Sequence, residues 1–255
     1  MKRFFRKYGL WLAALAILLA GVAAVLLWPR GVAGSLAAAT GETAAVPLPV
    51  TTAAPDVRLA DAHAANPDSV AWLTIPGTNI DAPVQQSDDN DYYLRRNALG
   101  EYDESGSIYA DYDCDLTTTA TLPRNLVLYG HTFDEDRENS FGQLHNYRVY
   151  EFGEEHPYIY LSLSDAMLTY RIFSTGVARA DTDYNCITTH PTDNEFRTIL
   201  AKAFERCAFD YGVTASTDDH ILTLSTCTDD PNVRYLVVAK LVDHVEPVNK
   251  KSSPK

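Results

Sequence analysis

Two short segments carry most of the chemistry open to this chain. The first is Ile221-Leu-Thr-Leu-Ser-Thr-Cys227-Thr-Asp-Asp-Pro-Asn-Val-Arg234, which continues as Tyr-Leu-Val-Val-Ala-Lys-Leu-Val242. Leucine and β-branched residues flank a polar, proline-bearing interval, a pattern that reads as strand, short loop, strand. Cys227 then ends one strand and Arg234 opens the next. If the strands pair, both side chains can face one cleft. A cysteine attacks as its thiolate, and a positive neighbour populates and aims that form. Arginine stays protonated and offers several donors, so it can also hold the oxyanion of a tetrahedral intermediate. Asp229 and Asp230 act in the opposite sense, because nearby negative charge disfavours a thiolate. Their alternative use is to orient a histidine or the arginine.

The second segment is Asn125-Leu-Val-Leu-Tyr-Gly-His131. An apolar strand ends at Gly130 and His131, so the imidazole projects from a strand terminus. Histidine is the side chain best matched to proton transfer near neutral pH. Taken singly, these residues are bland. A cysteine at a strand end is usually core, an arginine after a loop is usually solvated, and His131 is one of seven histidines. Their order and setting single them out.

The elements that must position them are mainly β. Runs rich in Val, Ile, Tyr, Thr and Leu recur between turn signals at 71–75, 107–110, 126–129, 158–163, 168–178, 220–225 and 234–242. One stretch has helical spacing instead. Phe196, Ile199, Leu200, Ala203, Phe204 and Cys207 fall on one face of a helix over 194–209, which Asp193 or Asn194 can cap. Shorter helices are expected at 57–65, ended by Asn66-Pro67, and at 140–147 and 149–156. None of the four cysteines forms a CxxC pair, so zinc or redox motifs have no local support. A Cys186–Cys207 disulfide is compatible with an oxidising compartment, and spacing alone does not decide it.

Residues 9–28 contain no charge and as a helix would span about 30 Å, the thickness of a bilayer core. Trp11 and Trp28 suit the two interfaces. The basic residues in 1–8 favour a cytoplasmic N-terminus, with the rest of the chain outside. A cleaved signal peptide is the competing reading, since small residues follow at 33–35, but the apolar run is long for one. Residues 29–56, rich in Ala, Thr and Pro, read as a linker. The catalytic body occupies 57–245, and 246–255 form a polar tail. The net charge is −13 although residues 1–30 hold five basic residues and no acid. So acidic a body argues against nucleic acid as a partner.

The segment LTLSTC at 222–227, with Arg234 opening YLVVAKLV, resembles the active-site strand of sortases, and LVLYGH at 126–131 resembles their histidine strand. The stretches at 66–94 (NPDSVAWLTIPGTNIDAPVQQSDDNDYYL), 106–112 (GSIYADY), 140–147 (SFGQLHNY) and 156–161 (HPYIYL), with the helix at 194–209, are similar to class B members. The likeness spans about residues 60–243. It implies a sortase-like closed β-barrel with peripheral helices, carried behind a single-pass N-terminal transmembrane helix on the outer face of a Gram-positive cell membrane. It also implies a cysteine transpeptidase that cuts a C-terminal sorting motif, NPxTG- or NPxTN-like, after its threonine and holds the acyl part as a thioester. The acceptor would be an amine of lipid II or peptidoglycan, and the partners would be surface proteins with a sorting signal. Carried across, Cys227 is the nucleophile, His131 the proton-transfer partner and Arg234 the oxyanion stabiliser. Ser225, Thr226 and Tyr129 would line the substrate pocket. No cofactor or metal is implied. The seven-residue interval from Cys227 to Arg234 is short for the family. Competing acceptors are a lysine of a pilin and, for a secreted cysteine protease, water. A non-catalytic surface protein would not be expected to retain all three residues.

Overall fold

The computed structural model describes residues 56–132, 140–179 and 181–245. Eight strands among them close into a barrel: β1 (Ser69–Thr74), β2 (Asp81–Gln85), β3 (Tyr109–Ala110), β4 (Asn125–Tyr129), β5 (Tyr158–Ser162), β6 (Met167–Arg179), β7 (Ile221–Cys227) and β8 (Val233–Val245). Around the barrel they run β1-β2-β3-β4-β7-β8-β6-β5, with β5 returning to β1. Closure removes the exposed sheet edges that would otherwise invite pairing with other chains.

The residue pattern of each strand follows from what covers it. On β8, Tyr235, Val237 and Ala239 enter the barrel core beside Leu222, Leu224, Leu126 and Leu128. Leu236 and Val238 point the other way, into a second core with Phe173, Ile199 and Ala203. A strand buried on both faces has no polar alternation, which explains the continuous run Tyr-Leu-Val-Val-Ala. By contrast, β1 is covered on one face, and its buried and part-exposed residues alternate.

The outer core lies beneath α3 (Asp193–Arg206), which follows α1 (Val57–Ala65) and α2 (Tyr150–Glu155). α3 buries Phe196, Ile199, Leu200 and Ala203, as the spacing predicts. Its cap is Thr192, and neither Asp193 nor Asn194 serves. The Thr192 hydroxyl accepts the Glu195 N–H, and the Glu195 carboxylate accepts the Thr192 N–H at 2.8 Å, a reciprocal capping box. The helix stops before Cys207, and Phe204 lies 41% exposed at its margin.

Other expectations are met with shifts. α1 covers 57–65 as read, capped by Asp56 and closed by Asn66. The segment 140–147 forms a 3₁₀ helix at Gly142–Arg148, and α2 follows it directly. β2 does not stand out in the sequence because Pro83 interrupts it. It is tolerated because β2 meets β3 only at Gln85 opposite Tyr109, so little of the ladder on that side is needed. All four cysteines are free thiols, and no Cys186–Cys207 disulfide forms. Cys207 Sγ instead accepts the Thr175 N–H at 3.3 Å. No helix among the described residues is long and apolar enough to cross a membrane. The expected transmembrane segment 9–28, the linker up to residue 55 and the tail from 246 lie outside the described residues.

Candidate active site

Strands β4 and β7 are parallel neighbours, in register from Asn125 opposite Ile221 to Tyr129 opposite Ser225. They therefore end on the same rim. β8 runs antiparallel to β7 and begins at that rim, with Arg234 directly opposite Cys227. Cross-strand partners in an antiparallel pair project to the same face. His131, two residues beyond the end of β4, completes the rim. The interval from 227 to 234 is short because it only has to turn one strand into its neighbour.

These residues line one cleft of about 330 Å3, together with Ser225, Thr226, Tyr129, Asn90, Leu94 and Tyr109. All six residues singled out in the sequence meet there. The segment between β6 and α3 contributes Asp183, Cys186 and Ile187 as a further wall. Gly130 is needed where it stands, because a Cβ there would lie 2.8 Å from the buried ring of Phe141. The chain can thus turn from β4 into His131 while packed against that ring.

Each reactive side chain is held. His131 Nε2 lies 2.9 Å from the Leu94 carbonyl, and since a carbonyl only accepts, that nitrogen carries the hydrogen. Arg234 donates from Nη1 to the carbonyls of Pro231 (2.7 Å) and Val233 (3.3 Å), which fixes the guanidinium against its own loop. A guanidinium carries five N–H donors, so these two bonds do not exhaust it. Cys227 is partly exposed at the strand end. A thiol, an imidazole and a guanidinium on one rim can together perform nucleophilic acyl transfer.

Beside the reactive groups, Tyr129 and Asn90 converge on Asp111. Tyr129 donates its hydroxyl to Asp111 at 2.7 Å, and Asn90 donates to the same oxygen at 3.0 Å. Burial, reinforced by that bond to Asp111, pushes the Tyr129 phenol far above its ordinary range. Burial does the same for Tyr109, whose ring lies 5.3 Å from that of Tyr129. Both phenols stay protonated, and Tyr129 serves as a donor. Asp230 accepts the Asn232 N–H at 2.9 Å, a bond within the loop, and Asp229 acts electrostatically on His145. Among the described residues no cluster of three or more His, Cys, Asp or Glu could hold a metal ion.

The sequence does not mark Asn90 and Leu94 in the cleft lining, Asp111 as the acceptor for Tyr129 and Asn90, or Thr132 and His145 at the Cys227 carbonyl. Thr132 donates to the Cys227 carbonyl at 2.8 Å, and His145 Nε2 lies 3.2 Å from that same oxygen. Each falls in a loop or short turn, where no periodicity marks a side chain for a role.

Comparison with known proteins gives a consistent picture. A family model for the sortase domain matches residues 73–242. Sortase B of Listeria monocytogenes is 34% identical over 188 residues, covering 72% of this chain and 74% of that protein. The structure of Clostridium perfringens sortase B aligns with a TM-score of 0.65 at 33% identity, covering 72% of this chain and 99% of that one. A Staphylococcus aureus sortase B–substrate complex aligns with a TM-score of 0.66 at 27% identity, covering 74% of this chain and 87% of that one.

Proposed function

The chain belongs to the sortase family of cysteine transpeptidases, and from that premise we propose that Cys227, His131 and Arg234 carry out its acyl transfer. The Cys227 thiolate attacks the threonine carbonyl carbon of a C-terminal sorting motif, NPxTG- or NPxTN-like. Arg234 holds the oxyanion that develops. The C–N bond breaks, His131 gives its proton to the departing amine, and the acyl part remains as a thioester on Sγ. An incoming amine attacks that thioester and passes a proton to His131, and Cys227 leaves as thiolate. Tyr129, Ser225 and Thr226 line the groove that receives the motif.

The observation that carries this reading is the register of Cys227 against Arg234, with His131 on the same rim. The similar S. aureus protein was solved as a substrate complex, which supports a peptide substrate for this one. We take the clients to be surface proteins with a sorting signal and the acceptor to be the amine of lipid II or peptidoglycan. Residues 9–28 anchor the enzyme in the cell membrane, with the N-terminus cytoplasmic and the catalytic domain outside.

The test is a quenched peptide carrying the motif, incubated with the enzyme with and without a panel of amines. Mass spectrometry should find an acyl-enzyme on Cys227 that hydroxylamine releases, and an amine-dependent ligation product. Cleavage without any acyl-enzyme would overturn the covalent mechanism. Ligation to a lysine side chain in preference to cell-wall peptides would move the enzyme to pilin polymerisation. Protease shaving of intact cells should reach the domain; protection would reverse the topology.

A further inference from the structure

The peptide that carries the nucleophile is held by Thr132 and His145, neither of which lines the cleft. The Cys227 carbonyl accepts the Thr132 hydroxyl at 2.8 Å and lies 3.2 Å from His145 Nε2. Thr132 Oγ1 is also 2.8 Å from Thr226 Oγ1 and 3.3 Å from His145 Nε2. Thr226 Oγ1 in turn lies 2.7 Å from the Gly130 carbonyl. A hydroxyl has one hydrogen, so the order of donation is constrained. With Thr132 giving its hydrogen to the Cys227 carbonyl, the single Thr226 hydrogen serves either the Gly130 carbonyl or Thr132 Oγ1, and the further hydrogen near the Cys227 oxygen is the Nε2–H of His145. The chain of bonds ties the end of β4, the end of β7 and the 3₁₀ helix Gly142–Arg148 to one peptide group.

His145 is fixed for this task. Its ring packs 5.0 Å from that of Tyr235, over which the Arg148 guanidinium lies at 5.2 Å. Its Nδ1 is buried with no hydrogen-bond partner among the described groups. A proton there would be a buried, unsatisfied donor, so the neutral Nε2–H tautomer is the one that fits. Burial, and then the nearby Arg148 charge, lower its basicity, against the weaker opposing pull of the Cys227 carbonyl and Asp229.

We infer that His145, acting with Thr132, is a positioning residue that locks the Cys227–Thr228 peptide plane and so aims Sγ at the acyl carbon between His131 and Arg234. This rests on the reading of Cys227 as nucleophile. Tyr235 lies in the barrel core, paired across the strands with Thr226 and next to the pair Cys227 and Arg234. His145 stacks on that core side, so it acts through the backbone and not on substrate.

The experiment compares His145→Leu, His145→Gln, Thr132→Val and Thr132→Ser with wild type. It measures kcat and KM for peptide cleavage, the rate of Cys227 alkylation by iodoacetamide, and thermal melting. Glutamine keeps an N–H donor near the Nε2 position, and serine keeps the hydroxyl. His145→Leu and Thr132→Val should each lose about tenfold in kcat and slow alkylation, with KM within about twofold. His145→Gln and Thr132→Ser should recover most of both. Equal losses in the Leu and Gln variants, both folded, would reduce His145 to a packing role and overturn the inference. Wild-type kcat in His145→Leu or in Thr132→Val would overturn it equally. Should His145→Leu not fold, the Thr132 pair decides. Turnover surviving in Cys227→Ala would instead sink the nucleophile reading on which this stands.

Discussion

The cleft at the ends of β4 and β7 encloses about 330 Å3, while a second cavity beside α1 encloses about 420 Å3. The larger one is lined by Leu59, Val70, Leu116 and Leu163, with Asp56, His63 and Gln86 among them. Its polar groups are already engaged in holding the fold. Asp56 caps α1, pairs with Arg58 at 2.8 Å and accepts from Ser162 at 2.9 Å. His63 Nδ1 lies 3.0 Å from the Ser69 carbonyl. In the cleft, by contrast, strand ends bring a thiol, an imidazole and a guanidinium to one rim. Size therefore does not distinguish the two; convergence of reactive groups from separate strands does.

Substitutions on the two sides should separate chemistry from stability. The largest effect is expected for Cys227→Ala, which should lower peptide turnover by at least about a thousandfold while leaving the melting temperature near wild type. Comparable turnover would remove the cleft's claim to be the active site. Arg234→Lys keeps the charge but loses the planar fork, and kcat should fall about a hundredfold with a smaller change in KM. A wild-type rate would show that charge alone suffices. On the other side, Leu59→Ala removes a side chain that is 6% exposed and should cost about 2 kcal/mol in denaturant unfolding, with kcat unchanged. A matching loss of kcat in the folded protein would mean that the second cavity communicates with the cleft.

The smallest effect concerns Asp56. Its hydrogen bond from Arg58 holds the carboxyl below the usual carboxylate range against the opposing effect of burial, with Ser162 assisting. A depressed folded-state value stabilises the protein above the unfolded carboxylate pKa, about 3.9, and that stabilisation fades as pH falls through the folded value. The difference in melting temperature between wild type and Asp56→Asn should thus be steady from pH 6 to 8 and shrink below about pH 4. A constant difference down to pH 3 would place the effect in the helix cap alone.

Much of this was legible beforehand. The runs at 126–129, 158–163 and 168–178 appear as β4, β5 and β6 with no end moved by more than one residue. α3 was visible in its apolar face, but its start was misplaced because Thr192 and Glu195 cap reciprocally, and side-chain geometry has to be seen to choose among adjacent capping residues. β2 was hidden by Pro83, whose cost depends on which neighbour its strand has.

Cys227 and Arg234 lie close in the chain, and a short loop between two apolar runs is enough to oppose them across a strand pair. That much is readable from the residues alone, since strand character and turn chemistry are local properties. The order of motifs also marked the family. The remaining contacts depend on the fold. Thr132 reaches the Cys227 carbonyl across 95 residues of chain, and only the parallel pairing of β4 with β7 brings them together. Residue patterns specify which faces must be buried but not which distant strand buries them. The place of His131 beside Cys227, and of His145 at its carbonyl, follows from how the barrel closes.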